Sequence, residues 1–182
     1  MEDPRETFYR DRVRTCGLQY SGFDVASTEI SINFSHSYDV LQQVASRYMG
    51  DFGLSRSSLN VLMLLRHGPS EGLQLHDLGE LLLVSRANIT GLIDHLEEKG
   101  YVTRVVDQQD RRARFARITA KAEALLDEFM PLHYQNLKLL LQDLSEEEKE
   151  TLTRLLVKAR YSISAHAEEC LRLEPVTCPA LG

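Results

Sequence analysis

The chain has 182 residues, 43% of them hydrophobic and 26% charged, the make-up of one folded domain with extensions rather than of a disordered chain. Its 27 Asp and Glu outnumber 21 Lys and Arg, giving a formal net charge of −6, so overall charge does not announce a nucleic-acid partner. No apolar stretch approaches the roughly eighteen residues of a membrane span. The acidic opening Met1-Glu2-Asp3-Pro4-Arg5-Glu6 is unlike the basic and then apolar start of a secretory signal. A soluble, cytoplasmic protein with no membrane partner is expected.

Residues 1–26 mix charges, aromatics and glycine without a sustained period and read as an N-terminal arm with at most one short helical piece. From residue 27 to residue 53 the pattern changes. Phe34, Tyr38, Leu41, Ala45 and Tyr48 recur every three or four residues, which places them along one side of a helix, and Gly50 and Gly53 supply the stop. Residues 54–119 then hold three short helical segments. The first carries Leu59, Leu62, Met63 and Arg66 and ends at His67-Gly68-Pro69-Ser70. The second carries Leu75, Leu78 and Leu82, and Val84-Ser85 interrupts it. The third has the cleanest period in the chain, Ile89, Leu92, Ile93 and Leu96, with Ser85 as its N-cap and Lys99-Gly100 closing it. A turn of about three residues between the last two segments is helix-turn-helix spacing.

Two segments rich in β-branched and aromatic residues follow, Tyr101 to Val106 and Arg114 to Thr119, separated by the polar stretch Asp107 to Ala113. They predict a β-hairpin with a cationic tip. After Thr119, itself a plausible N-cap, leucines recur through Leu144. Pro131 lies inside that run and should kink or interrupt it. Ser145 and Glu148 have capping-box spacing, and a last helix carries Leu152, Leu155, Leu156, Ala159, Ile163 and Ala167. Residues 120–172 thus form a C-terminal helical region, with a loose tail over residues 173–182. The fold class expected is mainly α with a small β-hairpin wing.

The charge is unevenly distributed. Between Arg104 and Arg117 stand five arginines against Asp107 and Asp110, whereas eight acids between Glu123 and Glu150 face only Lys138 and Lys149. A helix-turn-helix followed by a basic hairpin is a winged helix, able to lay its second helix in a major groove. With the apolar stripe inward, Ala87, Asn88, Thr90 and Gly91 turn outward, and Arg86 reaches out from the first turn. Asn88 suits adenine, while Ser85 and Thr90 suit phosphate. The acids of that face, Asp94 and Glu98, come only in later turns. On the hairpin, Asp110 is placed to brace Arg112 for a minor groove, and Arg111, Arg114 and the remaining arginines would hold phosphates. A plainer reading makes Ser85 a cap alone and the arginines a solvated hairpin, which leaves a winged-helix protein-interaction module without DNA. An enzyme is not expected: there is no phosphate loop, no H-E-x-x-H and no G-x-S-x-G.

The stretch from Leu75 to Leu126 resembles the core of the multiple-antibiotic-resistance regulator (MarR) family. Carrying the resemblance are Leu96 with Gly100, Val102 with Arg104, Asp110 with Arg112, and Ile118-Thr119. It extends over about residues 34 to 165. Ala122 stands where the family often has glycine, and the N-terminal arm is longer than usual. The resemblance implies a homodimer joined through its first and last helices, residues 27–53 and 120–172, with the winged lobe of residues 54–119 on a pseudo-palindromic DNA operator, acting as a repressor. It further implies release by a small aromatic or phenolic effector, an oxidant or a metal. Tyr38, Arg47, Tyr48, His67 and Tyr134 are the candidate effector contacts. Cys16, with Tyr20 and Arg14 near in sequence, is a candidate redox centre by analogy with family members that carry a reactive N-terminal cysteine. His166 and Cys170 make at most half a metal site, so neither a metal nor a cofactor is expected.

Overall fold

A computed structural model describes residues 4–106 and 114–173. Ten elements follow in chain order: α1 (Pro4–Gly17), α2 (Val25–Asp51), α3 (Arg56–His67), β1 (Leu73–Gln74), α4 (Leu75–Leu82), α5 (Arg86–Glu98), β2 (Val102–Val106), β3 (Arg114–Ile118), α6 (Ala120–Leu140) and α7 (Glu146–Cys170). The chain divides into two compact units, Asp39–Leu137 on the one hand and Met1–Tyr38 with Lys138–Gly182 on the other.

The unit of residues 39–137 contains the hydrophobic core. Leu59, Val61, Leu62 and Leu65 of α3, Leu78 of α4, and Ile89, Ile93 and Leu96 of α5 pack with Val102 and Ala116 of the sheet and with Ala122, Leu126 and Phe129 of α6. Burying each large aliphatic side chain contributes about 1.5–3 kcal/mol, so the i, i+4, i+7 set on α5 fixes that helix's rotation about its own axis. Local chemistry sets the helix ends, at Ser85, Thr119 and Ser145 as the sequence leads one to expect and at Ser55 in addition. The Ser55 and Ser85 hydroxyls accept the amides of Ser58 and Asn88, Thr119 accepts that of Ala122, and Ser145 and Glu148 form the reciprocal capping box. Gly100, at φ +72°, closes α5 with its amide donating to Glu97 O and that of Tyr101 to Leu96 O.

The sheet is antiparallel in the order β1-β3-β2. Arg104 lies opposite Ala116 and Leu73 lies on the other flank of that same alanine. The two-residue β1 is not evident in the sequence, because its pairing with β3 is a tertiary event and carries no local signature. Gly72 makes it possible. At φ +100°, an added Cβ would stand 2.4 Å from the Ala116 carbonyl oxygen.

Three further expectations change. The arm forms a 14-residue helix, α1, where only a short helical piece is expected, and it lacks an apolar stripe that periodicity would detect. Helix α2 opens two residues earlier, at Val25, because Asp24 Oδ1 accepts the Ser27 amide at 2.8 Å. Hydrogen bonds to the Asp24 carboxylate from the Ser27 hydroxyl and the Ser27 backbone amide hold its pKa below the usual carboxylate range. Pro131 does not interrupt its helix, since α6 continues through it to Leu140. The carbonyl that Pro131 leaves without a donor belongs to Asp127, and both residues are exposed, so water can satisfy it.

In the unit of residues 1–38 and 138–182, the Tyr9 and His36 rings meet at a tilt of 58° with centroids 4.9 Å apart, and the Phe23 ring covers Gly17 so closely that a Cβ there would be 2.2 Å from it. Helix α7 has no buried residue. Ile30, Phe34, Leu139, Leu152, Leu155 and Ile163 are all exposed.

Two substitutions test these backbone assignments by urea denaturation. Gly72→Ala should lower stability by at least about 2 kcal/mol through strained dihedrals and the clash with β3; an unchanged midpoint would contradict the turn. Leu83, the left-handed C-cap of α4 at φ 54°, is 90% exposed, so Leu83→Gly should relieve about 1 kcal/mol of strain at no packing cost. A loss of stability there would mean the leucine packs on something.

Candidate nucleic-acid interface

Helix α5 is held by its apolar stripe, and its opposite side is open. Arg86, Ala87, Asn88, Gly91 and Asp94 are exposed. Ser85 is exposed as well, with its hydroxyl accepting the Asn88 amide at 3.3 Å. The amides of this first turn and the positive end of the helix dipole therefore face outward beside the Arg86 guanidinium, a setting favourable to anions. Thr90 is only half-exposed, and its hydroxyl donates to Arg86 O at 2.8 Å. It reaches a phosphate only by changing rotamer.

Next to this turn lies a groove of about 380 Å³, lined by Arg56, Ser57 and Asn60 of α3, Leu82, Val84, and Asn88 and Leu92 of α5. Its lining joins three apolar residues, Leu82, Val84 and Leu92, to four polar ones. The three α3 residues escaped the sequence reading. The signal available was their place on the side of α3 opposite the leucine stripe, but only the packing of α3 against α5 shows that they stand beside Asn88.

The hairpin has the antiparallel pairing expected of a wing, with Val106 opposite Arg114 as its outermost pair. Asp110, Arg111 and Arg112 lie outside the described residues, as does the side chain of Arg114. Arg117 is exposed on β3. Arg104 departs from expectation. It does not stand ready for phosphate, because its guanidinium is paired with Asp94 at 2.5 Å and Glu97 at 2.6 Å. Desolvation would pull its pKa down, but hydrogen bonds and charge from Asp94 and Glu97 outweigh this and raise it. The partners are ten and seven residues earlier on another element, a contact that charge counting along the chain cannot reveal.

Of the five candidate effector contacts, Tyr48 meets His133, the chain neighbour of Tyr134. The Tyr48 hydroxyl is hydrogen-bonded to His133 Nδ1 at 3.0 Å. His133 stacks on Phe129 at 5.4 Å and adjoins Tyr134 at 6.0 Å, and Phe52 closes on Phe129 edge-on at 5.2 Å. Burial raises the Tyr48 pKa and lowers that of His133, so both are neutral at neutral pH. Arg47 and His67 are exposed on α2 and α3. Tyr38 is half-exposed and falls in the other unit. None of the five lines the groove beside α5.

Cys16 is exposed in the last turn of α1, and Cys170 is exposed at the end of α7. His166 Nδ1 is engaged with Ser162 O at 2.8 Å. Among the described residues there is no group of three or more His, Cys, Asp or Glu arranged to hold a metal ion, and no helix is long and apolar enough to cross a membrane.

Comparison with known proteins agrees with this geometry. A family model described as MarR family matches residues 52–113, the segment from just after α2 to the residue before β3. The chain is 32% identical over 130 residues to the HTH-type transcriptional regulator MhqR of Bacillus subtilis, covering 71% of this chain and 88% of that one. It is 28% identical over 137 residues to the HTH-type transcriptional repressor YetL of the same organism, covering 75% and 82%. Among solved structures it is similar to MepR of S. aureus in complex with DNA, with a TM-score of 0.68 and 26% identity over 72% of this chain and 96% of that one. The chain belongs to the MarR family of winged helix-turn-helix, DNA-binding transcriptional regulators.

Proposed function

We propose that the protein is a homodimeric repressor that binds a pseudo-palindromic operator and lets go of it when a small aromatic or phenolic effector binds. The observation that carries the DNA part is the open first half of α5. A capped helix N-terminus presents Arg86, Ala87, Asn88 and Gly91 to solvent, and Arg56, Ser57 and Asn60 line the groove alongside. In this reading Asn88 pairs with a base edge, Arg86 takes a guanine or a phosphate, and Ser85 and the α3 residues flank the backbone. Asp110, Arg111, Arg112 and Arg114 form the wing that enters the neighbouring minor groove. The protein acts by binding and not by catalysis.

The dimer is supported by the apolar surface of the unit formed by residues 1–38 and 138–182. Leucines and aromatics on α2 and α7 are exposed there in numbers unusual for a monomer. A second copy related by a two-fold axis covers such a surface with itself. Residues 27–53 and 120–172 are the dimerisation region in this assignment, and residues 54–119 the DNA-binding lobe. Repressor action is taken from the relative YetL, whose name carries it. For the effector, the Tyr48–His133 pair, set among Phe52, Phe129 and Tyr134, offers an aromatic lining with two neutral hydrogen-bonding groups, chemistry suited to a phenol.

Selection of duplexes from a random pool by the purified protein tests the central reading. Enrichment of a two-fold symmetric sequence, with half-sites about one helical turn apart, is the expected result; no enrichment at low ionic strength would refute it. On the selected duplex, Asn88→Ala should relax base preference at one position per half-site. Arg112→Ala should weaken binding to all duplexes and flatten the salt dependence. Equal losses of both kinds in both variants would contradict the division of labour.

Gly91 supplies a separate check. A Cβ added there meets nothing within 4 Å, so the fold does not require this glycine, which costs about 1 kcal/mol relative to alanine in mid-helix. Gly91→Ala should therefore raise the unfolding free energy by about that amount while weakening operator binding, because the methyl group intrudes where DNA approaches. Stabilisation with unchanged affinity would remove Gly91 from the interface.

A further inference from the structure

Arg104 is on β2 opposite Ala116 of β3, yet the hydrogen-bond and ion-pair partners of its guanidinium among the described residues belong to α5. Its Nη2 meets Asp94 Oδ1 at 2.5 Å and donates to Thr90 O at 3.4 Å, its Nη1 donates to Glu97 Oε2 at 2.6 Å, and its backbone amide donates to Glu97 Oε1 at 3.1 Å. The guanidinium is largely covered, with its side chain 22% exposed, while Asp94 remains 54% exposed. Its buried Nε has no hydrogen-bond partner among the described residues. This fork serves two carboxylates and a carbonyl at once, which the single ammonium of a lysine would not match.

Asp94 occupies a costly place. It follows Ala87 by seven residues and Gly91 by three, so it shares the stripe of α5 that turns away from the core. Seven residues of helix span about 10 Å, comparable to the Debye length of about 10 Å at 0.1 M salt. A bare carboxylate there would repel the phosphates bound at the first turns of the same helix. We propose that Arg104 is a positioning and charge-neutralising residue for DNA binding: it cancels Asp94 on the DNA-facing stripe of α5 while tying that helix to the root of the wing. This inference rests on the DNA-binding reading given above. It makes one arginine of the basic cluster a screen for an acid instead of a grip on the operator.

The test compares Arg104→Gln, Asp94→Asn and the double variant on one duplex selected by the wild-type protein, over a range of salt, with thermal unfolding measured in parallel. Arg104→Gln should bind about fivefold or more weakly at low salt, and the deficit should shrink as salt rises. Asp94→Asn, which keeps Arg104 and its bonds to Glu97, should bind at least as tightly as wild type. The double variant should return to within about twofold of wild-type affinity even though its unfolding temperature stays lowered. A double variant that binds no better than Arg104→Gln, or an Asp94→Asn protein that binds more weakly than wild type, would overturn the proposal and leave Arg104 a structural brace. Failure of the wild-type protein to select any duplex would instead strike the DNA-binding reading itself, before any variant is compared.

Discussion

Burial of Ile89, Ile93 and Leu96 is the constraint on which the rest depends. All three are fully buried, with α5 packed against α3, α4 and β2, so α5 has one rotation and one outward side. Moving any of them to water costs about 1.5–3 kcal/mol, more than surface charge interactions can return. The polar residues of α5 are therefore outward by default, as the complement of a stripe that has no alternative. A DNA-reading surface needs that rigidity, since a few degrees of roll would move Asn88 away from a base edge.

Charge is arranged around that fixed side. The chain as a whole is anionic, and its acids concentrate in α6, α7 and the turn between them. The wing and the start of α5 carry arginines. Not every arginine of the chain is available: Arg104 is committed to Asp94 and Glu97, and Arg66 at the end of α3 pairs with Asp127. A count of positive residues thus overstates the cationic surface, and the identity of each partner decides what a ligand meets.

The two units differ in kind. Residues 39–137 bury a contiguous core, although Leu81, Leu83 and Tyr134 remain exposed. Residues 1–38 and 138–182 expose leucines and aromatics along helices that bury almost nothing. Helices α2 and α6 contribute residues to both units.

The sequence alone determined whatever acts within a few residues. Ser85, Thr119, Ser145 with Glu148, and Gly100 announce helix ends because a cap is a bond between near neighbours, and the leucine periods announce helix faces because one turn repeats every 3.6 residues. The helix-turn-helix, the hairpin and the outward set Arg86, Ala87, Asn88 and Gly91 followed from these. Tertiary structure alone decided the pairing of β1 with β3, the meeting of Arg56, Ser57 and Asn60 with Asn88, the capture of Arg104 by Asp94 and Glu97, and the contact of Tyr48 with His133 across 85 residues. The uninterrupted helix through Pro131 belongs with them, since a local rule predicted a kink or an interruption and α6 runs on to Leu140 with Pro131 and Asp127 both exposed. Each is a contact or an exposure between groups that the chain keeps far apart or leaves undetermined, and only the burial of a common core brings them to their places.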